Sequence, residues 1–143
     1  MNLKYTVIGA CAVAAIAAYV LLQPGPAEEA AQAALVDGSP IVAIQMPPIE
    51  GNAVIGQRIF ESACAACHGN NAVGIEGAGP PLIHKIYEPS HHADEAFQRA
   101  AANGVSSHHW RFGDMPPVEG LTRGDVAMVI AYIRDIQRAN GIN

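Results

Sequence analysis

The chain has 143 residues, of which 50% are hydrophobic, 6% aromatic and 15% charged, and its net charge at pH 7 is −5. This length gives one small domain with an appendage. The absence of a basic cluster excludes a nucleic-acid-binding protein, and three cysteines are too few for a disulfide framework.

Residues 5–22 form an apolar run that contains no charged residue. As an α-helix, these 18 residues would span about 27 Å, close to the thickness of a hydrocarbon core of about 30 Å. Lys4 precedes the run and acidic residues follow it, which places the N terminus in the cytoplasm and the rest of the chain outside. We therefore predict a membrane anchor over 1–22. A signal peptide cleaved after Ala27 is the alternative.

Residues 23–52 are predicted to form a flexible periplasmic tether, because five prolines and three glycines interrupt any long element. As a random coil, these 30 residues would reach about 30 Å. The apolar patch 41–44 is expected to pack on the domain that follows. A docking segment for a partner protein is the alternative interpretation of this patch.

The domain over 53–143 is predicted to be all-α. Its first helix begins near Asn52, a candidate N-cap, and leads into the motif Cys64-Ala65-Ala66-Cys67-His68. Gly56 and Phe60 are four residues apart and share one face of this helix. A glycine on that face would let a second helix approach closely.

The Cys-x-x-Cys-His motif at 64–68 is the attachment sequence of a c-type haem, with the histidine as the proximal iron ligand. A redox dithiol would leave His68 without a role. A zinc site would need two further ligands, and the only other cysteine in the sequence, Cys11, lies in the apolar run. The motif therefore predicts one covalently attached haem c.

The rest of the domain alternates loops and helices. A glycine-rich loop after His68 is expected to wrap the haem edge. A helix is predicted over 93–103, and a loop over 105–120 precedes the last helix. Thr122 and Asp125 form a capping box that opens this last helix, which is predicted to run through Arg138.

These segments together resemble a class I c-type cytochrome over residues 53–139. The residues that carry the resemblance are Gly56, Phe60, the motif 64–68, Gly-Pro-Pro-Leu at 79–82, Asn103-Gly104, Gly-Asp-Met-Pro-Pro at 113–117, Tyr132 and Ile133. The resemblance implies three to four helices around one covalent haem. It implies that the first and last helices cross at Gly56, Phe60 and Tyr132, and that the His68 ring hydrogen-bonds the carbonyl of Pro80.

The resemblance also implies that Met115 is the second axial iron ligand, presented by a loop that Pro116 stiffens. The competing ligands are five loop histidines: His84, His91, His92, His108 and His109. Trp110 and Arg111 carry donors that suit the haem propionates. The alternatives are that Trp110 only packs against the porphyrin and that Arg111 is only a solvated charge. The four paired histidines are also able to bind copper or zinc adventitiously.

Two axial side chains leave no open iron position, so we expect an electron carrier and not an enzyme, without a small-molecule substrate. The expected carrier is tethered to the bacterial inner membrane, with its haem domain in the periplasm. It would pass electrons from a quinol-oxidising cytochrome complex to a terminal oxidase or a photosynthetic reaction centre. The alternatives are a fixed subunit of a larger oxidoreductase and a haem sensor or small peroxidase.

Overall fold

The computed structural model describes residues 38–143, which form four α-helices and two short 3₁₀ helices. The α-helices are α1 (Asn52–Ala63), α2 (Ala65–His68), α3 (Asp94–Asn103) and α4 (Arg123–Ala139), and the 3₁₀ helices are Asn70–Ala72 and Lys85–Tyr87. Extended backbone within this part of the chain pairs at two isolated bridges, Ile75 with Gly79 and Val105 with Met115. The all-α prediction is confirmed for these residues.

The predicted anchor over 1–22 and the first part of the predicted tether, 23–37, lie outside the described residues. Among the helices that the structure describes, none is long and apolar enough to cross a membrane.

Residues 38–51 pack against the helical domain. The Ile41 amide donates to the carbonyl of Val73 over 3.2 Å. Gln45 and Asn140 exchange two hydrogen bonds of 2.8 Å between backbone and side-chain amide. Two isoleucines of the segment also reach the core, Ile44 and Ile49. The predicted packing of the patch 41–44 is confirmed, and the part of the predicted tether from residue 38 onward belongs to the folded domain.

Helices α1 and α4 cross in direct backbone contact. A Cβ atom on Gly56 would lie 1.8 Å from the carbonyl oxygen of Met128, so only glycine permits this approach. Next to the crossing, the rings of Phe60 and Tyr132 are fully buried, with their centroids 5.7 Å apart. The predicted crossing at Gly56, Phe60 and Tyr132 is confirmed.

A buried polar network joins α4 to α3 and to the loop that precedes α3. Arg134 pairs with Asp94 over 2.9 Å and donates to the backbone carbonyls of Tyr87 and His92 over 2.7 and 2.5 Å. The side chain of Gln137, which is fully buried, accepts a further Arg134 hydrogen bond. The buried Arg134 guanidinium thus has four acceptors, and buried polar groups require such partners. The helical spacing of α4 predicted its apolar face but not this network.

The two long helices begin differently. The prediction that Asn52 is an N-cap is wrong, because α1 already includes Asn52 and its cap position is Gly51, which has no side chain to offer. The predicted capping box of α4 is confirmed. Thr122 Oγ1 accepts the Asp125 amide over 3.2 Å, and the Asp125 carboxylate accepts the Thr122 amide over 2.9 Å.

Replacing Thr122 by alanine is expected to lower the free energy of unfolding by about 1 kcal/mol, the usual effect of losing an N-cap side chain. Thr122→Ser keeps the hydroxyl and serves as the matched control, with a much smaller loss. Urea titrations of the haem-loaded protein at pH 7 measure both. Equal losses in the two variants would contradict the capping role.

The same box makes stability depend on pH. Hydrogen bonds from the Thr122 side chain and then from its backbone lower the pKa of Asp125. A carboxyl with a lowered folded-state pKa contributes stability above its unfolded pKa, and this contribution disappears as the pH falls through the folded value. Thr122→Ala should therefore cost less stability near pH 3 than at pH 7.

Candidate functional site

The motif residues occupy the bend between α1 and α2. The Cys64 carbonyl accepts the amides of Cys67 and His68 over 3.2 and 3.0 Å, which closes a tight turn around the motif. Cys64 is half-buried and Cys67 is exposed, and no disulfide joins them. Burial, together with the neighbouring Cys67, raises the pKa of Cys64 to about 11. The predicted attachment pair thus lies on one turn, with Cys67 at the surface.

A cavity of about 430 Å³ opens beside the motif, enclosed by α1, α3, α4 and the loops that follow α2 and α3. Its wall is mainly apolar, with contributions from Phe60, Leu82, Phe97, Val129, Ile130 and Ile133. The predicted site residues Cys64, His68, Pro80, Trp110 and Met115 also line this cavity. Tyr87 and Arg99 also line this cavity, although no pattern in the sequence marked them as site residues.

His68 has its ring fixed by the loop that follows the motif. Its Nδ1 lies 2.8 Å from the Pro80 carbonyl oxygen, an acceptor only, so Nδ1 carries the proton and Nε2 is left with a lone pair. Burial lowers the pKa of His68, and the hydrogen bond to Pro80 opposes this in part. The ring is thus a neutral imidazole, the form that binds a metal. The predicted His68–Pro80 hydrogen bond is confirmed.

Gly79 allows the loop to come this close to the motif. A Cβ atom on Gly79 would lie 2.6 Å from the carbonyl oxygen of Cys67. Any other residue would push Pro80 away from His68. The Gly-Pro pair is thus a local device that sets the orientation of the imidazole.

Met115 is held by its backbone at the end of α3. It exchanges two hydrogen bonds of 2.9 Å with Val105, one in each direction. Gly104 has a φ of +75°, and a Cβ there would lie 2.5 Å from the Met115 carbonyl oxygen. The side chain is half-buried in the cavity wall. The structure therefore brings the thioether of Met115 and the imidazole of His68 to one cavity.

Trp110 and Arg111 differ in their placement. Trp110 lines the cavity, and its buried Nε1 makes no hydrogen bond of good geometry among residues 38–143. The Tyr87 hydroxyl is its neighbour, since Trp110 partly opposes the rise that burial causes in the pKa of Tyr87. A buried donor without a partner is rare in a folded protein, and an acceptor on a bound group would satisfy it. Arg111 is exposed and does not belong to the cavity wall.

The loop histidines divide into two sets. His91, His92, His108 and His109 line the cavity, whereas His84 packs edge-on against Trp110 with ring centroids 5.2 Å apart. The pairing in sequence signalled two doublets. It did not indicate that the doublets, separated by 15 residues, would meet.

The residues present fit a covalently attached haem. The cavity offers an apolar wall, an imidazole with a free Nε2, a thioether and an indole donor for a carboxylate, with two thiols beside it. These groups match what haem c takes: thiols for its vinyl groups, nitrogen and sulfur atoms as iron ligands, and donors for its propionates.

Comparison with known proteins gives the same result. The Cytochrome c family profile matches residues 53–137, which is more than half of the chain. No curated protein matches the chain significantly. The chain therefore belongs to the cytochrome c family, as a class I c-type cytochrome with covalently attached haem c that acts as a haem-based electron carrier.

Proposed function

We propose that this cytochrome is a one-electron carrier tethered to the bacterial inner membrane, with its haem domain in the periplasm. It would receive electrons from a quinol-oxidising cytochrome complex and pass them to a terminal oxidase or a photosynthetic reaction centre. The observation that carries the proposal is the shared cavity of His68 and Met115, in which Nδ1 of His68 is committed to Pro80.

In this proposal, Cys64 and Cys67 hold haem c through thioether bonds. His68 Nε2 and the Met115 sulfur would hold its iron. When bound, haem c supplies a one-electron iron couple, and its potential depends on the axial ligands and the surroundings. Because two side chains would hold the iron, we expect no substrate to react at it.

The surface around the motif suits docking without strong steering. Cys67 is exposed, so one attachment point lies where a partner can approach. Lys85 is the single lysine in the domain, and from residue 53 onward seven basic residues face nine acidic ones. Association should therefore depend weakly on salt. Anchoring through residues 5–22 would raise the effective concentration of the domain near membrane partners instead.

The proposal is tested in membranes of the producing cell. Added quinol should reduce the haem, and an inhibitor of the quinol-oxidising complex should block this reduction. Oxygen or light should then reoxidise the haem. A haem that ignores both the quinol and the inhibitor would contradict the proposed position in the chain.

Two further measurements separate the alternative functions. Co-purification with one complex in high salt would indicate a fixed subunit. Rapid binding of carbon monoxide by the ferrous protein would indicate an exchangeable distal ligand, as in a sensor or peroxidase. The carrier proposal expects neither result.

Trp110→Phe tests the proposed role of the unpartnered indole. The variant keeps an aromatic ring in the cavity wall but loses the N–H donor. Losing a donor to a propionate leaves its negative charge less neutralised, which favours ferric iron. We expect the midpoint potential to fall by roughly 50 mV. This shift corresponds to less than the roughly 1.5–3 kcal/mol of a full charge-assisted hydrogen bond. Ile130→Val, which changes the cavity wall without touching a polar group, is the control, and equal shifts would contradict the role.

A further inference from the structure

Four histidines from two separate loops meet at the wall of the cavity. Ligand nitrogens of His91, His92 and His109 all lie within 4.8 Å of one another. The ring of His108 stands beside them, with its centroid 4.2 Å from that of His109 and 6.2 Å from that of His92. We call these four residues the histidine cluster. Its members come from the turn before α3 and from the loop that leads to Met115.

The first doublet is held by fixed backbone. The amides of His91 and His92 both donate to the Glu88 carbonyl, over 3.0 and 2.8 Å. The His92 carbonyl accepts from the buried guanidinium of Arg134. Nδ1 of His92 donates to the Ile86 carbonyl over 2.7 Å, which leaves Nε2 with its lone pair. A carbonyl behind the imidazole is the usual support of a metal-binding histidine.

The second doublet has similar support. Nδ1 of His108 lies 2.8 Å from the Ser106 carbonyl, and the adjacent Ser107 amide donates to Asp114 over 2.8 Å. His108 and His109 are exposed, as is His91, while His92 is half-buried. An ion can therefore reach the cluster from solvent.

The cluster offers several imidazole nitrogens to one ion. Neutral imidazoles with free lone pairs are ligands for borderline divalent ions, and acidic pH opposes binding because protons compete for the same nitrogens.

We propose that His91, His92 and His109 bind one divalent transition-metal ion, Zn²⁺ or Cu²⁺, with His108 next to its remaining position. Three imidazoles with one further position form a common set for such ions. The bound ion would link the turn before α3 to the loop that carries Met115. It would thereby stabilise the distal side of the haem cavity. This inference does not depend on the identity of the redox partners.

The test uses untagged, haem-loaded, full-length protein in detergent, titrated calorimetrically with ZnCl₂ and separately with CuCl₂ at pH 7.5. We expect one ion per chain. His109→Asn and His91→Asn should each weaken binding by about 100-fold or more, the upper range found even for supporting residues. His84→Asn removes a histidine outside the cluster and should leave the affinity unchanged. Lowering the pH to 5.5 should weaken binding in the wild type.

A second readout detects the proposed link between the loops. Saturating Zn²⁺ should raise the thermal midpoint of the wild-type holoprotein and leave that of His109→Asn unchanged. Equal affinities of the wild type and His109→Asn, or no binding at 100 μM of either ion, would overturn the proposal. So would a haem spectrum that changes its axial-ligand bands in His109→Asn, because the histidine would then be an iron ligand.

Discussion

Replacing Met115 by alanine is expected to lower the midpoint potential of the haem by on the order of 0.2 V, within the range of about 0.8 V over which axial ligands set haem potentials. The thioether favours ferrous iron, and its loss leaves water or a nitrogen donor in its place. The weak charge-transfer band of Met sulfur in the red region should vanish at the same time. A potentiometric titration with full spectra measures both effects.

The fold should tolerate this change. Met115 is fixed by backbone hydrogen bonds to Val105, which a truncated side chain leaves intact. The loop therefore keeps its backbone conformation, and the cavity wall loses only the thioether side chain of Met115. Far-ultraviolet circular dichroism should match that of the wild type.

Met46→Leu is the matched control, because Met46 is 42% exposed and does not line the cavity. Its potential and its red band should remain those of the wild type. If Met115→Ala keeps both features, Met115 is not the ligand. The same titration of His108→Ala and His109→Ala would then identify the histidine that is.

Sequence reasoning succeeded where a function depends on local spacing or on a close backbone approach. The motif at 64–68 is one turn, so its spacing alone indicates that the two cysteines and the histidine bind the same haem. Gly56 is informative because a Cβ there would meet the carbonyl of Met128. The His68–Pro80 hydrogen bond followed from the resemblance, and Gly79 supplies its physical reason.

Sequence reasoning failed where distant segments meet. The prolines and glycines before α1 suggested a flexible tether over 23–52. The expected packing of the patch 41–44 was correct, but Ile49 also packs on the core, so the folded part of this segment is longer than predicted. Arg134 stands between Ile133 and Asp135 in sequence, and its three carbonyl and carboxylate partners belong to other segments. Hydrophobic periodicity predicts which face of a helix is buried, but it does not predict which polar groups of other segments contact that face.

The histidine cluster shows the same limit at a functional site. His91 and His92 are separated from His108 and His109 by α3 and its flanking turns. Each doublet alone is typical of an exposed loop. Only the return of the chain after α3, fixed by the bridge between Val105 and Met115, brings their rings into contact. A candidate metal site thus arises from topology rather than from spacing.

The crossing of α1 and α4 should be the most sensitive point of the domain to a small change. In Gly56→Ala, the new methyl group would stand 1.8 Å from the Met128 carbonyl oxygen and 2.9 Å from the Val129 amide nitrogen. These are backbone atoms, so no side chain can turn aside. The helices must separate, which loosens the contact between Phe60 and Tyr132 and the wall of the haem cavity that Val129 and Phe60 form.

We expect Gly56→Ala to lower the free energy of unfolding of the holoprotein by about 3 kcal/mol or more, at the upper end for overpacking. Gly124→Ala makes the same chemical change in α4, where the nearest atom, Thr122 Oγ1, would lie 3.5 Å from the new Cβ. It should stabilise the protein by about 0.5 kcal/mol through helix propensity. Guanidinium titrations compare the two. Because helix propensity favours alanine in both, a loss confined to Gly56 measures the crossing alone, and a Gly56→Ala variant as stable as Gly124→Ala would show that the helices do not need this contact.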